Sequence, residues 1–220
     1  MTGPVFEAAL FDLDGTLVDT EPRSQAAWRR LFLAHGVPHD QPMLASFAGR
    51  PGKAILTEHR HSFDRRHTVD ELFAEAMSYA TSYATAPAAP VPGAVELVRA
   101  LHSSGLPVGV VTSATRDYAR AELDALALSA LLAVLVTAED VAAGKPSPEG
   151  YLAGCRTLGV GPERTLVFED APAGVAAAKA AGAYCVAVAT TQPASALGAA
   201  DLVVPDLSGL RWADGCLEQR

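Results

Sequence analysis

Apolar residues gather in short, nearly unbroken runs at positions 6–13, 107–111, 133–136, 165–168, 183–189 and 201–204. Runs of this kind, closed by acidic residues, Gly or Pro, predict strands covered on both faces, as in a parallel sheet. The segments 94–103, 117–128, 148–158, 172–181 and 193–197 between and after them predict helices. Strand and helix in alternation is the signature of a parallel α/β sheet with helices on both faces. The ends of one helix are also written in its chemistry. Asp170 stands before it, Pro172 falls near its first turn and Gly182 lies just past its last.

The alternation fails over 22–86. There Trp28, Leu31 and Phe32, and later Leu72, Phe73, Ala76 and Met77, recur at helical spacing, which predicts a helical insertion between the first strand and the rest of the sheet. The prolines among alanines and valine at 87–92 predict the return linker. The expected organisation is a core of 1–18 and 88–220 interrupted by a helical domain at 19–87.

Composition narrows the function classes. The chain has 220 residues, 50% of them hydrophobic, and a net charge of −8, which excludes a nucleic-acid binder held by phosphate contacts over its whole surface. No apolar stretch is long enough for a membrane span, and residues 1–9 lack the basic start and apolar run of a signal peptide. The expectation is a cytoplasmic protein with no membrane, nucleic-acid or obligate protein partner. Cys155, Cys185 and Cys216 are odd in number and far apart, so neither a disulfide framework nor a zinc site is expected. Lysine occurs only at 53, 145 and 179, all other basic charge being carried by Arg.

Chemistry concentrates where predicted strands end. Asp12 and Asp14 stand two apart before Gly15, and at strand spacing both project to one side. Two carboxylates so close call for a cation, and hard oxygen ligands suit Mg²⁺. An acidic turn reads equally well from this segment alone. Thr112 and Ser113 close a second strand with hydroxyls able to donate to a phosphate oxygen. Lys145 lies in the turn Gly144-Lys145-Pro146-Ser147-Pro148 near a helix start, and Glu169 and Asp170 close a further strand. Singly, these also read as a satisfied hydroxyl, a solvated turn and a helix cap. In an open α/β sheet, however, ligands bind beyond the carboxyl ends of the strands, where these loops would meet.

In this order the motifs resemble the haloacid dehalogenase superfamily, with long near-matches at 11–18 and 167–182 and a resemblance that covers nearly the whole chain. The resemblance implies a Rossmann-like core with a small helical cap inserted after the first motif. It further implies that Asp12 is a nucleophile forming an aspartyl-phosphate and that Asp14 is the general acid and base. Mg²⁺ would be held by Asp12, the backbone carbonyl of Asp14 and Asp170, with Thr112, Ser113 and Lys145 binding phosphate oxygens. Glu169 would touch the metal indirectly. An Asp at 14 argues against dehalogenases and against phosphonate hydrolases, for which Lys53 would otherwise offer a Schiff-base lysine. The segments 91–95, 112–117 and 168–174 are similar to small phosphatases of glycerol 3-phosphate, 2-deoxyglucose 6-phosphate and related sugar or polyol phosphates.

That resemblance predicts a magnesium-dependent phosphatase of a small sugar or polyol phosphate. In such enzymes Gly49 and Arg50 match a cap loop that binds substrate, although Arg50 also reads as a surface arginine. A hexose-phosphate mutase is the alternative, and it is disfavoured by Ser24, which stands where mutases of this type carry a His. A binding or regulatory protein without turnover is the remaining class. The basic cluster of Arg60, His61, Arg65, Arg66 and His67 reads either as a device that steers anions or as a solvated helix end.

Overall fold

A computed structural model describes residues 5–47, 50, 52–83, 87–213 and 215–219. The chain divides into two compact units, Met1–Asp19 with Ala89–Arg220, and Thr20–Ala88. The first unit holds β1 (Ala8–Phe11), the two-residue antiparallel pair β2 (Val18–Asp19) and β3 (Ala89–Pro90), then β4 (Val108–Val111), β5 (Leu132–Val136), β6 (Thr165–Glu169), β7 (Tyr184–Val188) and β8 (Leu202–Val204). Six of these form one parallel sheet in the order β5-β4-β1-β6-β7-β8.

Burial follows position in that order. Every residue of β1, β4 and β6 is buried, while β5 and β8 at the two edges are only partly so. The central strands carry unbroken apolar runs because helices cover both faces of the sheet. Phe11 and Phe168 are register partners in β1 and β6, and their rings stack at 4.3 Å, a pairing that contributes about 0.5–1.5 kcal/mol beyond burial. Leu10, Val111, Tyr151, Val167, Val175 and Cys185 belong to one buried cluster. The chain leaves β1 for β4 and β5 on one side and returns to β6, β7 and β8 on the other, so the order reverses beside β1. In open sheets that reversal marks the ligand crevice.

The helices of this unit are α5 (Ala94–Ser103), α6 (Arg116–Ala125), α7 (Glu149–Leu158) and α8 (Pro172–Ala181), numbered after the four of the inserted unit. α8 begins at Pro172 and closes on Gly182 at φ 87. Two expectations are corrected, and one pair of strands is additional. The helix expected at 117–128 ends at Ala125, with Ala127 at φ 53. The segment 193–197 makes only a 3₁₀ turn at Ala194–Ala196, entered from Pro193 with no side chain capping its start. An antiparallel pair, β9 (Leu210–Ala213) with β10 (Cys216–Gln219), follows the last expected strand.

The inserted unit holds α1 (Glu21–Ala34), α2 (Gln41–Ala45), α3 (Gly52–Glu58) and α4 (Val69–Tyr83). Trp28, Leu31, Phe32, Leu44, Phe47, Ile55, Leu56, Phe63, Leu72 and Ala76 form its own buried cluster. Phe32 meets Phe47 and Phe63 edge to face at 5.7 and 5.5 Å. Met77, expected in the apolar stripe, is 44% exposed. The start of α4 carries a capping box: Thr68 N–H donates to Glu71 Oε2 at 2.8 Å and Glu71 N–H donates to Thr68 Oγ1 at 3.2 Å.

Candidate active site

The site is built where β1, β4 and β6 end. Asp12 follows β1, and its backbone N–H still donates to Phe168 of β6 at 2.9 Å, so the carboxylate leaves the sheet from a fixed base. The chain then turns back through Leu17 N–H to Leu13 carbonyl at 2.8 Å and Gly15 N–H to Val18 carbonyl at 2.7 Å. Gly15 has φ 81, and a Cβ there would overlap the Asp170 carboxylate, so the turn requires glycine on both counts.

Lys145 draws three elements together. Its ammonium donates to Asp12 Oδ1, reaches Glu169 Oε1 at 2.6 Å and donates to the carbonyl of Val111, the last residue of β4, at 3.1 Å. Burial opposes its charge, but the carboxylates of Asp12 and Glu169 more than offset this and hold its pKa above the ordinary lysine value. The Lys145–Pro146 peptide bond is cis.

Both oxygens of Glu169 are occupied. Oε1 accepts from the Tyr151 hydroxyl at 2.6 Å as well as meeting Lys145, and Oε2 accepts the backbone N–H of Asp170 at 3.1 Å and of Ala171 at 3.4 Å. α8 presents Gly174 to this carboxylate, and a Cβ there would overlap it. The geometry gives Glu169 the work of bracing Lys145 and the turn into α8.

Asp170 accepts from the Thr191 hydroxyl at Oδ2, and Thr16 Oγ1 lies 3.5 Å from its Oδ1. Carboxylate oxygens of Asp12, Glu169 and Asp170 all fall within 4.8 Å of one another, and all three residues are buried. Burial first, then the charge of Glu169, pushes Asp170 up to about 7. Asp12 is also held well above its usual range, by burial and by Glu169 and Asp170, against the opposing pull of Lys145. Three buried carboxylates facing a single ammonium form an oxygen-only donor set with excess negative charge, which fits a hard divalent cation.

Asp12, Asp14, Thr112, Ser113, Lys145, Glu169 and Asp170 line one cavity of about 250 Å³. Thr112 is 5% exposed, and its Oγ1 accepts from Ala114 N–H at 3.0 Å, which turns the hydroxyl proton toward other acceptors. Asp14 borders the same cavity, and its Oδ1 accepts from the Tyr118 hydroxyl at 2.8 Å. Arg50 pairs with Glu58 inside the inserted unit, and Gly49 lies outside the described residues. Lys53 pairs with Asp70 at 2.6 Å. In the basic cluster Arg60 donates to the carbonyls of Phe63 and His67, and Arg66 pairs with Asp64 at 3.0 Å.

The sequence did not reveal Tyr118, Tyr151 or Thr191. Tyr151 reads as one more apolar position of its helix, and Thr191 as a loop threonine, since nothing in local spacing marks a hydroxyl whose acceptor is distant in the chain.

Residues 6–182 match the family model described as haloacid dehalogenase-like hydrolase. The chain is 50% identical to validoxylamine A 7'-phosphate phosphatase of Streptomyces hygroscopicus subsp. limoneus, over 94% of this chain and 97% of the relative. It is 37% identical to hexitol phosphatase A of Escherichia coli (strain K12), over 90% of each. A crystal structure of β-phosphoglucomutase from Clostridium difficile superposes with a TM-score of 0.72 at 26% identity, covering 94% of each chain.

Proposed function

Because this chain belongs to the haloacid dehalogenase-like hydrolases, we propose that it is a magnesium-dependent phosphatase of a small sugar or polyol phosphate. The observation that carries this reading is the meeting of Asp12, Lys145, Glu169 and Asp170 in one cavity that Asp14, Thr112 and Ser113 also line. The names of the two relatives, both phosphatases, support it.

Asp12 attacks phosphorus through a carboxylate oxygen as the ester oxygen departs, forming an aspartyl-phosphate. Asp14, protonated, gives its proton to that departing oxygen. It then takes a proton from the water that attacks phosphorus and breaks the bond to Asp12. Lys145 and the Thr112 hydroxyl hold the transferring oxygens, with Ser113 beside them. Asp12, the backbone carbonyl of Asp14 and Asp170 would hold Mg²⁺. When bound, it offsets the repulsion between a carboxylate nucleophile and an anionic phosphate. Arg50, proposed as a contact for the leaving group, would exchange its partner Glu58 for substrate.

A mutase is the second reading, favoured by the likeness to β-phosphoglucomutase. Ser24 disfavours it, since a mutase must keep water from the phospho-enzyme and a phosphatase must admit it. The test is phosphate release from a panel of sugar and polyol monophosphates that includes validoxylamine A 7'-phosphate, with and without Mg²⁺, using Asp12→Asn as the blank. Metal-dependent release that the variant lacks establishes the phosphatase. Isomer conversion without release, primed by a hexose bisphosphate, would establish the mutase instead.

A further inference from the structure

We infer that Tyr118 is a positioning residue that fixes the Asp14 carboxyl through both halves of the reaction, an inference that rests on the phosphatase reading above. Its phenol donates to Asp14 Oδ1 at 2.8 Å, across a separation of 104 residues. Asp14 sits in the turn after β1 and lines the cavity with a side chain of two rotatable bonds, whose freedom the phenol reduces. A general acid and base that must address first the departing oxygen and then the attacking water gains from having that freedom removed.

The choice of a phenol matters. A neutral tyrosine hydroxyl donates to a carboxylate and equally to the carbonyl oxygen of a carboxylic acid. The bond to Oδ1 can therefore form with either state of the carboxyl. An ammonium or guanidinium in the same place would favour the charged form and oppose proton donation to the departing oxygen.

Tyr118 is itself held. It lies in the first turn of α6, whose opening N–H, from Arg116, donates to both oxygens of Glu139 at 3.2 and 3.0 Å. The Arg116 guanidinium pairs with Asp140, and Asp140 in turn accepts from Thr137 N–H at 2.8 Å and from the Thr137 hydroxyl at 2.8 Å. The loop after β5 thus fixes the start of α6, and α6 delivers the phenol to Asp14.

The test compares wild-type protein with Tyr118→Phe and Tyr118→Leu, with Mg²⁺, on esters that differ in how much they need an acid. Glycerol 3-phosphate and glucose 6-phosphate have poor alkoxide leaving groups, whereas p-nitrophenyl phosphate departs with little help. Since kcat/KM reports only steps through departure of the leaving group, it should fall about 10-fold or more on the alkyl esters and less than about 2-fold on the aryl ester, carried by kcat and not KM. Dephosphorylation of Asp12 should slow as well, giving the variants a slower steady state after the p-nitrophenol burst than the wild type shows. Equal losses on both ester types, a change in KM alone, no change, or a gain in rate would each overturn the inference. Absence of turnover by the wild type on every ester would instead overturn the phosphatase reading. Thermal melts of the two variants identify a loss that comes from misfolding.

Discussion

The hydroxyl of Tyr151 donates to Glu169 Oε1 at 2.6 Å, and the two residues are 0% and 1% exposed. A carboxylate buried this completely is tolerated only because each oxygen has donors, and Tyr151 shares Oε1 with Lys145. Burial and the charge of Glu169 keep its phenol well above the ordinary tyrosine value, so it remains a donor at any working pH.

Removing that hydroxyl tests the brace. Tyr151→Phe keeps the ring in place in the core and should destabilise the protein by about 1.5–3 kcal/mol, the range for a hydrogen bond to a charged group. Urea denaturation with an unchanged m-value measures it. A loss below about 0.5 kcal/mol would mean that Glu169 finds another donor.

Lys145 has the opposite charge and the larger effect. Lys145→Met leaves Asp12 and Glu169 buried without their cation, which should cost about 3–5 kcal/mol and remove phosphatase activity. Adding Glu169→Gln to this variant should recover part of the stability and none of the activity. A double-mutant cycle with no coupling between the two positions would contradict the ion pair.

Asp170 gives the metal-free protein a pH dependence whose sign is fixed. With its carboxyl near 7 when folded and near the usual 3.8 when unfolded, the native state binds the extra proton between those values. Stability of the metal-free protein should therefore fall as pH rises from about 4 to about 7. Asp170→Asn should flatten this slope and weaken stabilisation by Mg²⁺, which for wild type reaches about 2.7 kcal/mol at a hundredfold excess over Kd. Melting curves at several pH values, with chelator and with Mg²⁺, check both.

The cysteines offer a simple check on the core. Cys155 and Cys185 are buried, and burial pushes the Cys185 thiol up to about 12, whereas Cys216 is partly exposed in β10. A thiol reagent should therefore modify one cysteine quickly in the native protein and all three after unfolding. Fast labelling at Cys185 would indicate that β7 opens locally.

Much of the fold was legible because it is written in local pattern. Central strands such as β1 and β6 must be apolar throughout, and the Pro172 to Gly182 helix carries its own start and stop. The segment 193–197 stops at a 3₁₀ turn without a side-chain cap, whereas α2, equally short, is capped by Asp40, which accepts from Met43 N–H at 2.8 Å. The β9–β10 pair follows the last strand of the alternation and carries no repeat of it.

By itself the sequence determined the alternation of strand and helix, the inserted helical unit and the candidate residues Asp12, Asp14, Thr112, Lys145 and Asp170. Each is set by periodicity or by short-range motif, which a linear chain can display. Only the tertiary structure decided that Glu169 has both oxygens occupied, that Lys145 bridges Asp12 and Glu169, and that Tyr118, Tyr151 and Thr191 hold Asp14, Glu169 and Asp170. Apart from the N–H groups of Asp170 and Ala171 on Glu169 Oε2, those relationships join residues from 18 to 133 positions apart. Hydrogen bonds over such separations depend on which strand ends the sheet order brings together, and no local pattern encodes that.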